Sequence, residues 1–410
     1  MTDVLDAFDP DNPYDFSLRL RFVSDTRNSS IGREYKCIKS DQIGATACKN
    51  GSAIQIAKEL EYHQVRNQLA IDARVGLYHD VEAYATFPIV LSDQWQHKFA
   101  AGVSAANSTI APAAKSESLF AVPYDSTTRS GFGDMHLGLK WAPFNYQRDH
   151  LSPTWVLGID WMLPTGTVMK ADNSAVGVGL HELMFFTTVS RRVAQIIEPF
   201  INLHGNLRFA GGDSLFVSHG QTQKYTTPGD IIGTQFGVTF LPWENIKKDE
   251  RFEVEGGFGM DYVFRGREYT DIWSALSDPN NPCNPKNGCT NTLHSNSTPD
   301  PITGRVTATD GITDVEAYGR FTGWAALHYQ PVKYFQVSAK MGWMSETPHY
   351  LTFGEYGRDL DGAHGVQQSN SRGENEYSPT FLPAVDTPGQ RLRLTAADNF
   401  ALMFSISGKL

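Results

Sequence analysis

The most constraining feature of this chain is a repeated alternation of apolar and polar residues with a period of two. About a dozen stretches show it, each roughly ten residues long. In the stretch 65–77, Leu69 and Ile71 alternate with Asp72 and Arg74. Because successive side chains of a β-strand point to opposite faces, this pattern predicts strands with one apolar and one polar face.

The length and spacing of these strands favour a membrane barrel over a soluble β-sandwich or propeller. They exceed the usual five or six residues of soluble strands, approach the roughly nine to eleven of a tilted membrane span, and show no 40-residue repeat. No run approaches 18 apolar residues, which excludes a transmembrane helix. We therefore predict an all-β chain that forms a single transmembrane antiparallel up-and-down β-barrel in the outer membrane of a Gram-negative bacterium.

Long polar loops alternate with short turns along the chain. This arrangement predicts about 12 strands, with both termini on the side of the short periplasmic turns. We expect a periplasmic N-terminal segment at 1–14 and one barrel at 15–410. The large extracellular loops are predicted at 25–58, 92–131, 267–312 and 346–390.

Charge and composition narrow the classes of molecule that this chain is expected to bind. The net charge of −10 and the pI near 5.6 argue against nucleic acid as a partner. A slightly negative mean hydropathy is compatible with a barrel, since only alternate strand residues meet lipid. The expected partners are outer-membrane lipid and a small-molecule solute, and we expect no cofactor and no metal.

Four cysteines fall as two close pairs, Cys37 with Cys48 and Cys283 with Cys289, and both pairs lie in predicted loops. In an oxidising compartment, two local disulfide bonds would stiffen these loops. Three connectivities are open in principle. A zinc site of four thiolates is the competing interpretation, but the spacings do not match paired CxxC knuckles.

One segment has a more specific signature. Residues 130–140 read SGFGDMHLGLK, the sequence LPTG follows at 163–166, and GVGL opens the next predicted strand at 177–180. Over about residues 70–210 the chain resembles the outer-membrane transporters associated with phenol degradation by the meta pathway. The resemblance implies passage of small, often aromatic or apolar molecules; the cysteine pairs and the very long loops depart from that pattern.

Charged residues at the polar strand positions must face the lumen, because a charge facing lipid at the midplane costs several kcal/mol. One interpretation is a salt-bridge network that props the barrel open or fills it. The other is a segregated field, basic on the first two strands and acidic on the ninth, that orients solutes. The predicted pore-lining residues are Arg19, Arg21, Arg66, Asp72, Arg74, Glu82, Asp134, His136, Lys140, Asp160, Glu198, His204, Arg208, Glu253, Glu255, Asp261, Arg265, Glu316, Arg320 and Lys340.

Together these features predict a channel for passive uptake of small solutes. The alternative is a closed barrel that acts as a scaffold for disulfide-stiffened surface loops, which bind a surface protein or ligand. We expect no enzyme, since Ser218 and His219 fall in a predicted loop and no GxSxG elbow occurs. The acidic segment 359–362 resembles the opening of a calcium loop but lacks its closing glutamate, which favours a solvated turn.

Overall fold

The structure is a computed structural model that describes residues 4–5, 16–36, 54–113, 118–146, 148–193, 196–217, 225–245, 248–278, 310–356, 378 and 380–409. The long strands are β1 (Phe16–Lys36), β2 (Ile54–Tyr78), β3 (Val81–Phe99), β6 (Met135–Phe144), β7 (Thr154–Leu163), β8 (Leu180–Ser190), β9 (Ile197–Ala210), β10 (Ile231–Asn245), β11 (Glu250–Val263), β14 (Tyr318–Val332), β15 (Phe335–Glu346) and β17 (Leu392–Lys409). The short elements are β4 (Tyr124–Asp125), β5 (Arg129–Phe132), β12 (Gly266–Glu268), β13 (Thr313–Val315), β16 (His349–Tyr350), α1 (Trp273–Leu276) and α2 (Pro383–Asp386). Neither helix in this part of the chain has the length and apolar character that a membrane span requires.

The twelve long strands of the described residues form one closed antiparallel barrel. Each pairs with the next long strand along the chain, and β1 pairs with β17 to close the ring. The closing seam runs from Ser17 opposite Lys409 to Arg33 opposite Leu392. The predicted fold class and strand number are confirmed.

The two faces of the wall differ as the alternation predicted. On β1, Leu18 and Leu20 are exposed on the outer face, whereas Arg19 and Arg21 face the lumen. Outward aromatic residues gather near both ends of the belt, for example Trp141 at the short-turn end and Trp161 at the long-loop end. An apolar belt between two aromatic girdles is typical of a barrel that spans the bacterial outer membrane, and this chain is such a barrel.

The strands β1, β2 and β3 extend further than predicted at the long-loop end of the barrel. The predicted loop 25–58 is too long at both ends, because β1 continues to Lys36 and β2 begins at Ile54; the predicted loop 92–131 likewise loses its first residues to β3, which ends at Phe99. Beyond the belt the outer face of these strands carries polar residues, whereas Ile31 and Leu60 pack into a buried apolar cluster, so the alternation that marked the span is lost. The four cysteines, Ser218 with His219, and the segment 359–362 lie outside the described residues.

At the long-loop end a cap closes the barrel mouth. It comprises residues 100–113, 118–125, 264–278, 351–356 and 380–391, which pack against the upper strands. Ile31 and Leu60 of the wall share one buried apolar cluster with Phe120, Trp273 and Leu382 of the cap. Burial of this apolar surface stabilises the closed arrangement, since each fully buried large side chain contributes roughly 1.5–3 kcal/mol.

The outward face of β6 allows a direct test of the membrane assignment. Leu139 is exposed on the outer face in the middle of this strand. We expect Leu139→Arg to lower the free energy of unfolding from bilayers by about 2–4 kcal/mol, because it places a charge in the hydrocarbon. Leu139→Met keeps the position apolar and should fold like the parent. Equal stability of the two variants in a denaturant titration would contradict a lipid-facing position.

Candidate functional site

The lumen of the short-turn half is lined by ion pairs that reach water. Asp72 of β2 accepts hydrogen bonds from Arg19 (2.8 Å), Arg21 (3.1 Å) and Thr86 (2.8 Å). The Asp72 side chain is 4% exposed, whereas that of Arg19 is 40% exposed. Two guanidinium groups around one carboxylate leave a net positive charge at this wall.

Glu82 forms a second cluster near the β2–β3 turn. Its carboxylate accepts hydrogen bonds from Arg74 (2.5 Å) and from Lys140 (3.1 Å). The backbone N–H of Leu5 also donates to Glu82, at 2.9 Å, and Leu5 is buried. Leu5, in the predicted segment 1–14, therefore lies at the short-turn end of the barrel, beside Glu82.

Further clusters join neighbouring strands around the lumen. Tyr84 donates to Asp160 (2.7 Å), whose other oxygen lies 2.7 Å from His136 Nδ1. On the neighbouring strands β8 and β9, Glu182 accepts a hydrogen bond from Arg208 at 2.7 Å. His204 Nε2 lies 3.2 Å from Asp261 Oδ1, and Arg320 lies 3.8 Å from Glu346.

The wall formed by β9, β11 and β14 carries an excess of carboxylates. Glu255 accepts a hydrogen bond from Trp324 Nε1 at 2.7 Å and lies 3.9 Å from His328. Glu253 pairs with Arg251, and Glu198 accepts from the Ser190 hydroxyl at 2.6 Å. Lys340 of β15 lies with its Nζ 5.0 Å from the centre of the Trp324 ring.

Three of the predicted pore-lining residues lie beyond the strand ends, where the parity of the strand no longer sets their direction. Asp134 accepts the backbone N–H groups of Gly166 (2.9 Å) and Val178 (2.8 Å) and so holds the loop 164–179. Arg265 follows β11 and donates to Glu355 and the Phe353 carbonyl. Glu316 accepts the backbone N–H of Tyr350 at 3.1 Å. The remaining residue, Arg66, lies on β2, 4.0 Å from Asp93.

Inward aromatic rings lie flat against the wall because each sits opposite a glycine. A Cβ atom at Gly257 would lie 2.1 Å from the Trp324 ring, and the same distance separates a Cβ at Gly138 from Tyr84. The glycines thus let the rings lie along the barrel wall. The cross-strand pairs are Tyr84 with Gly138, Phe186 with Gly158, Phe200 with Gly237, and Trp324 with Gly257.

A polar bridge ties the cap to the wall inside the mouth. Arg27 of β1 donates to Asp271 of the cap at 3.0 Å and to Glu346 of β15 at 3.0 Å. Ser29 donates to the same Asp271 at 2.5 Å, and His97 Nε2 lies 2.7 Å from the Asp271 carbonyl oxygen. The Arg27 side chain is 16% exposed and that of Glu346 is 6% exposed, so the bridge is largely withdrawn from water.

Arg129 anchors the cap from the side. Its guanidinium lies 5.1 Å from the centres of both the Trp95 and Trp273 rings, a cation–π contact on each. It also donates to the carbonyls of Lys170 (2.8 Å) and Ala175 (3.0 Å). Neither Arg129 nor Asp271 was predicted from the sequence, because both lie outside the alternating stretches.

Asp386 at the end of α2 is a titratable group within the cap. It accepts backbone N–H groups from Leu382 (2.7 Å) and Gly354 (2.9 Å). Burial raises the pKa of Asp386 to about 7, and the nearby Asp314 carboxylate acts in the same direction. Arg267, which lies 2.9 Å from Asp310 and 3.9 Å from Asp314, lowers that pKa in part.

Similarity to known proteins is confined to the fold. No protein-family model matches the sequence, and no curated protein matches it. Among solved structures, the chain is similar to an outer membrane channel from Pseudomonas putida F1 (10% identity, 95% of each chain, TM-score 0.42), the TodX monoaromatic hydrocarbon channel (8%, 98% of this chain and 92% of that one, 0.34) and the outer membrane protease OmpT from Escherichia coli (10%, 100% of each, 0.31). At these scores the neighbours carry no argument about mechanism. Among the described residues, no three His, Cys, Asp or Glu side chains are grouped to hold a metal ion.

Asp386 makes the stability of the cap depend on pH. Because its pKa is raised in the folded cap above the usual 3.8, the folded form holds the proton more tightly. Closure is therefore favoured at low pH and weakens as pH rises from about 4 to about 7, with little further change above. We expect the open probability in planar bilayers to rise severalfold between pH 5 and pH 8, and Asp386→Asn to flatten that dependence. An unchanged pH profile in the variant would contradict this role.

Proposed function

We propose that this barrel is an outer-membrane channel for passive uptake of small solutes, shown in a conformation that its cap closes at the extracellular end. The observation that carries the proposal is the charged, water-accessible lumen beneath the cap, where Arg19 remains 40% exposed. Charged groups in such a lumen interact with passing solutes and tune selectivity. Because the short turns are predicted to lie on the periplasmic side, uptake would run from the capped end toward the short-turn end.

The charges of the short-turn half favour the segregated field over a purely structural network. On β1 and β2, Arg19 and Arg21 stand against the single carboxylate of Asp72. On β9 and β11, Glu198, Glu253 and Glu255 stand against Arg251, and Lys340 lies on β15, between the acidic and the basic strands. A solute between these walls would be oriented by its dipole.

The aromatic rings along the wall support an aromatic solute class, which the resemblance to the meta-pathway transporters also implies. Phe200 and Trp324 lie with ring centres 6.4 Å apart, so two of these rings form one apolar pair on the wall. Offset or edge contacts with a small aromatic solute are favourable at such a pair. We infer that the path accepts small molecules that combine a ring with polar groups.

The scaffold alternative has one observation in its favour, the packed apolar core of the cap. A rigid outer surface would suit capture of a surface protein or ligand. The charged, hydrated groups of the lumen, such as Arg19, argue against the scaffold, since a closed barrel that nothing crosses does not need them. A barrel that stays silent after release of the cap would favour the scaffold.

The Arg27–Asp271 bridge should control closure. In Asp271→Asn, Arg27 loses one of its two carboxylates and the cap loses its charged anchor, which costs roughly 3–5 kcal/mol for a buried pair. We expect at least a tenfold rise in open probability in planar bilayers. Glu244→Gln breaks the Arg192 pair outside the lumen and serves as the matched control, with no expected change. A bridge that served only folding would leave gating unaltered in the folded variant.

Charge substitutions on the two walls should shift ion selectivity in opposite directions. We expect Arg19→Gln, made in the Asp271→Asn background, to move the reversal potential in a salt gradient toward cation selectivity. Glu253→Gln in the same background should move it toward anion selectivity. Both variants remove one charge from the predicted pore lining, so a variant that leaves the reversal potential unchanged would show that its charge does not line the conducting path.

A further inference from the structure

Two carboxylates of the cap lie among arginine side chains of the barrel wall. Asp271 forms a bidentate pair with Arg27 of β1, with nitrogen–oxygen distances of 3.0 and 3.3 Å. Glu268, the last residue of β12, lies 3.7 Å from Arg208 of β9. Because the two carboxylates are separated by only two residues in the chain, one short segment of the cap carries both of them to the wall.

A third wall arginine lies beside Glu268 and lacks a close carboxylate. Arg320 Nη2 donates to the Tyr318 hydroxyl at 3.3 Å, and that hydroxyl lies 3.5 Å from Glu268 Oε2. The carboxylate of Glu346 is 3.8 Å from Arg320 Nε, which is beyond hydrogen-bond distance. Arg320 Nε is buried and has no hydrogen-bond partner among the described residues. A buried donor without a partner costs free energy, so an acceptor at this position would be stabilising.

The cap carboxylate nearest to Arg320 is held less tightly than Asp271. Arg208 donates to Glu182 of the wall at 2.7 Å and stays 3.7 Å from Glu268. Burial raises the pKa of Glu268, and the positive charges of Arg208 and Arg320 only partly oppose that shift. The closed cap therefore places a carboxylate among these guanidinium groups without saturating their hydrogen bonds.

When the cap leaves the mouth, the arginines lose these acceptors. Arg27 keeps Glu346 as a partner but loses Asp271. A small carboxylate can replace the cap here, because it offers a guanidinium group the same pair of charged oxygen acceptors. Such a solute binds the arginines only after the cap carboxylates have left, so its binding shifts the equilibrium toward the open cap.

We propose that Arg27, Arg208 and Arg320 form a binding site for the carboxylate of a small organic anion. In the closed state the cap fills this site with its own side chains, Glu268 and Asp271. The ligand is an anion because the groups that it replaces are carboxylates and the unfilled donor is a guanidinium N–H. This inference rests on the proposed channel function, since it names the class of solute and couples the binding of that solute to opening.

The test follows cap opening through a buried residue of the cap, so it does not require conductance. Ser274 of α1 is 0% exposed. Ser274→Cys, with the native cysteines replaced, would be labelled by a maleimide in the full-length barrel in detergent. We expect benzoate to accelerate labelling saturably and at least threefold. Benzamide, which has the same ring without the charge, should leave the rate unchanged at equal ionic strength.

Variants made in this background separate the site from a general effect of anions. Arg320→Gln removes a guanidinium group that makes no hydrogen bond to a cap carboxylate, so labelling without ligand should stay near that of the parent. The benzoate concentration for half-maximal acceleration should rise at least fivefold. Glu268→Gln removes a competing carboxylate and should lower that concentration at least threefold. Arg192→Gln, which breaks the Glu244 pair outside the lumen, should respond like the parent.

Heat-modified migration in detergent gels establishes that each variant is folded. Three results would each overturn the proposal: no acceleration by benzoate in the parent, equal acceleration by benzamide, or an unchanged benzoate response in folded Arg320→Gln or Glu268→Gln. Conductance is recorded separately. A barrel that responds to benzoate but carries no current would keep the carboxylate site and lose the channel function, whereas a conducting barrel without a benzoate response would lose only the site.

Discussion

The structure depends on the closure of one hydrogen-bonded ring. In hydrocarbon every backbone N–H and C=O must be satisfied within the protein, and a sheet achieves this only without free edges. The β1–β17 pairing supplies that closure, from Ser17 opposite Lys409 up to Arg33 opposite Leu392. Closure also fixes which side chains face inward. The charged lumen and the apolar belt therefore both result from the same hydrogen-bonded ring of strands.

The interior of the barrel differs between its short-turn half and its long-loop half. In the short-turn half, carboxylates such as Asp72 and Glu82 are each shared by two cations, and water reaches the outer members of these clusters. In the long-loop half, Arg27 and Glu346 are withdrawn from water and the apolar cap packs above them. Buried ion pairs are sensitive to loss of one partner, which suits a bridge that must hold and release.

The alternating pattern made the barrel predictable from sequence, because a period of two specifies both the strand and its facing. It therefore predicts a shared face for Arg19, Arg21 and Asp72, and these three side chains form ion pairs with one another. The pattern failed above the belt, where both faces of β1 are polar or packed. It also carried no information about the cap, whose key contacts join Arg27 to Asp271 and Trp95 to Ser274 across long chain separations.

The most direct test of a barrel whose cap closes the extracellular mouth is the sidedness of labelling at an inward position. Ser338 of β15 faces the lumen and hydrogen-bonds His328 at 2.8 Å. With the native cysteines blocked or replaced, Ser338→Cys would be treated with a bulky, membrane-impermeant maleimide. The account predicts labelling in lysed cells and none in intact cells, with labelling of intact cells restored by Asp271→Asn. Equal labelling of intact and lysed cells in the parent background would contradict a closed extracellular mouth.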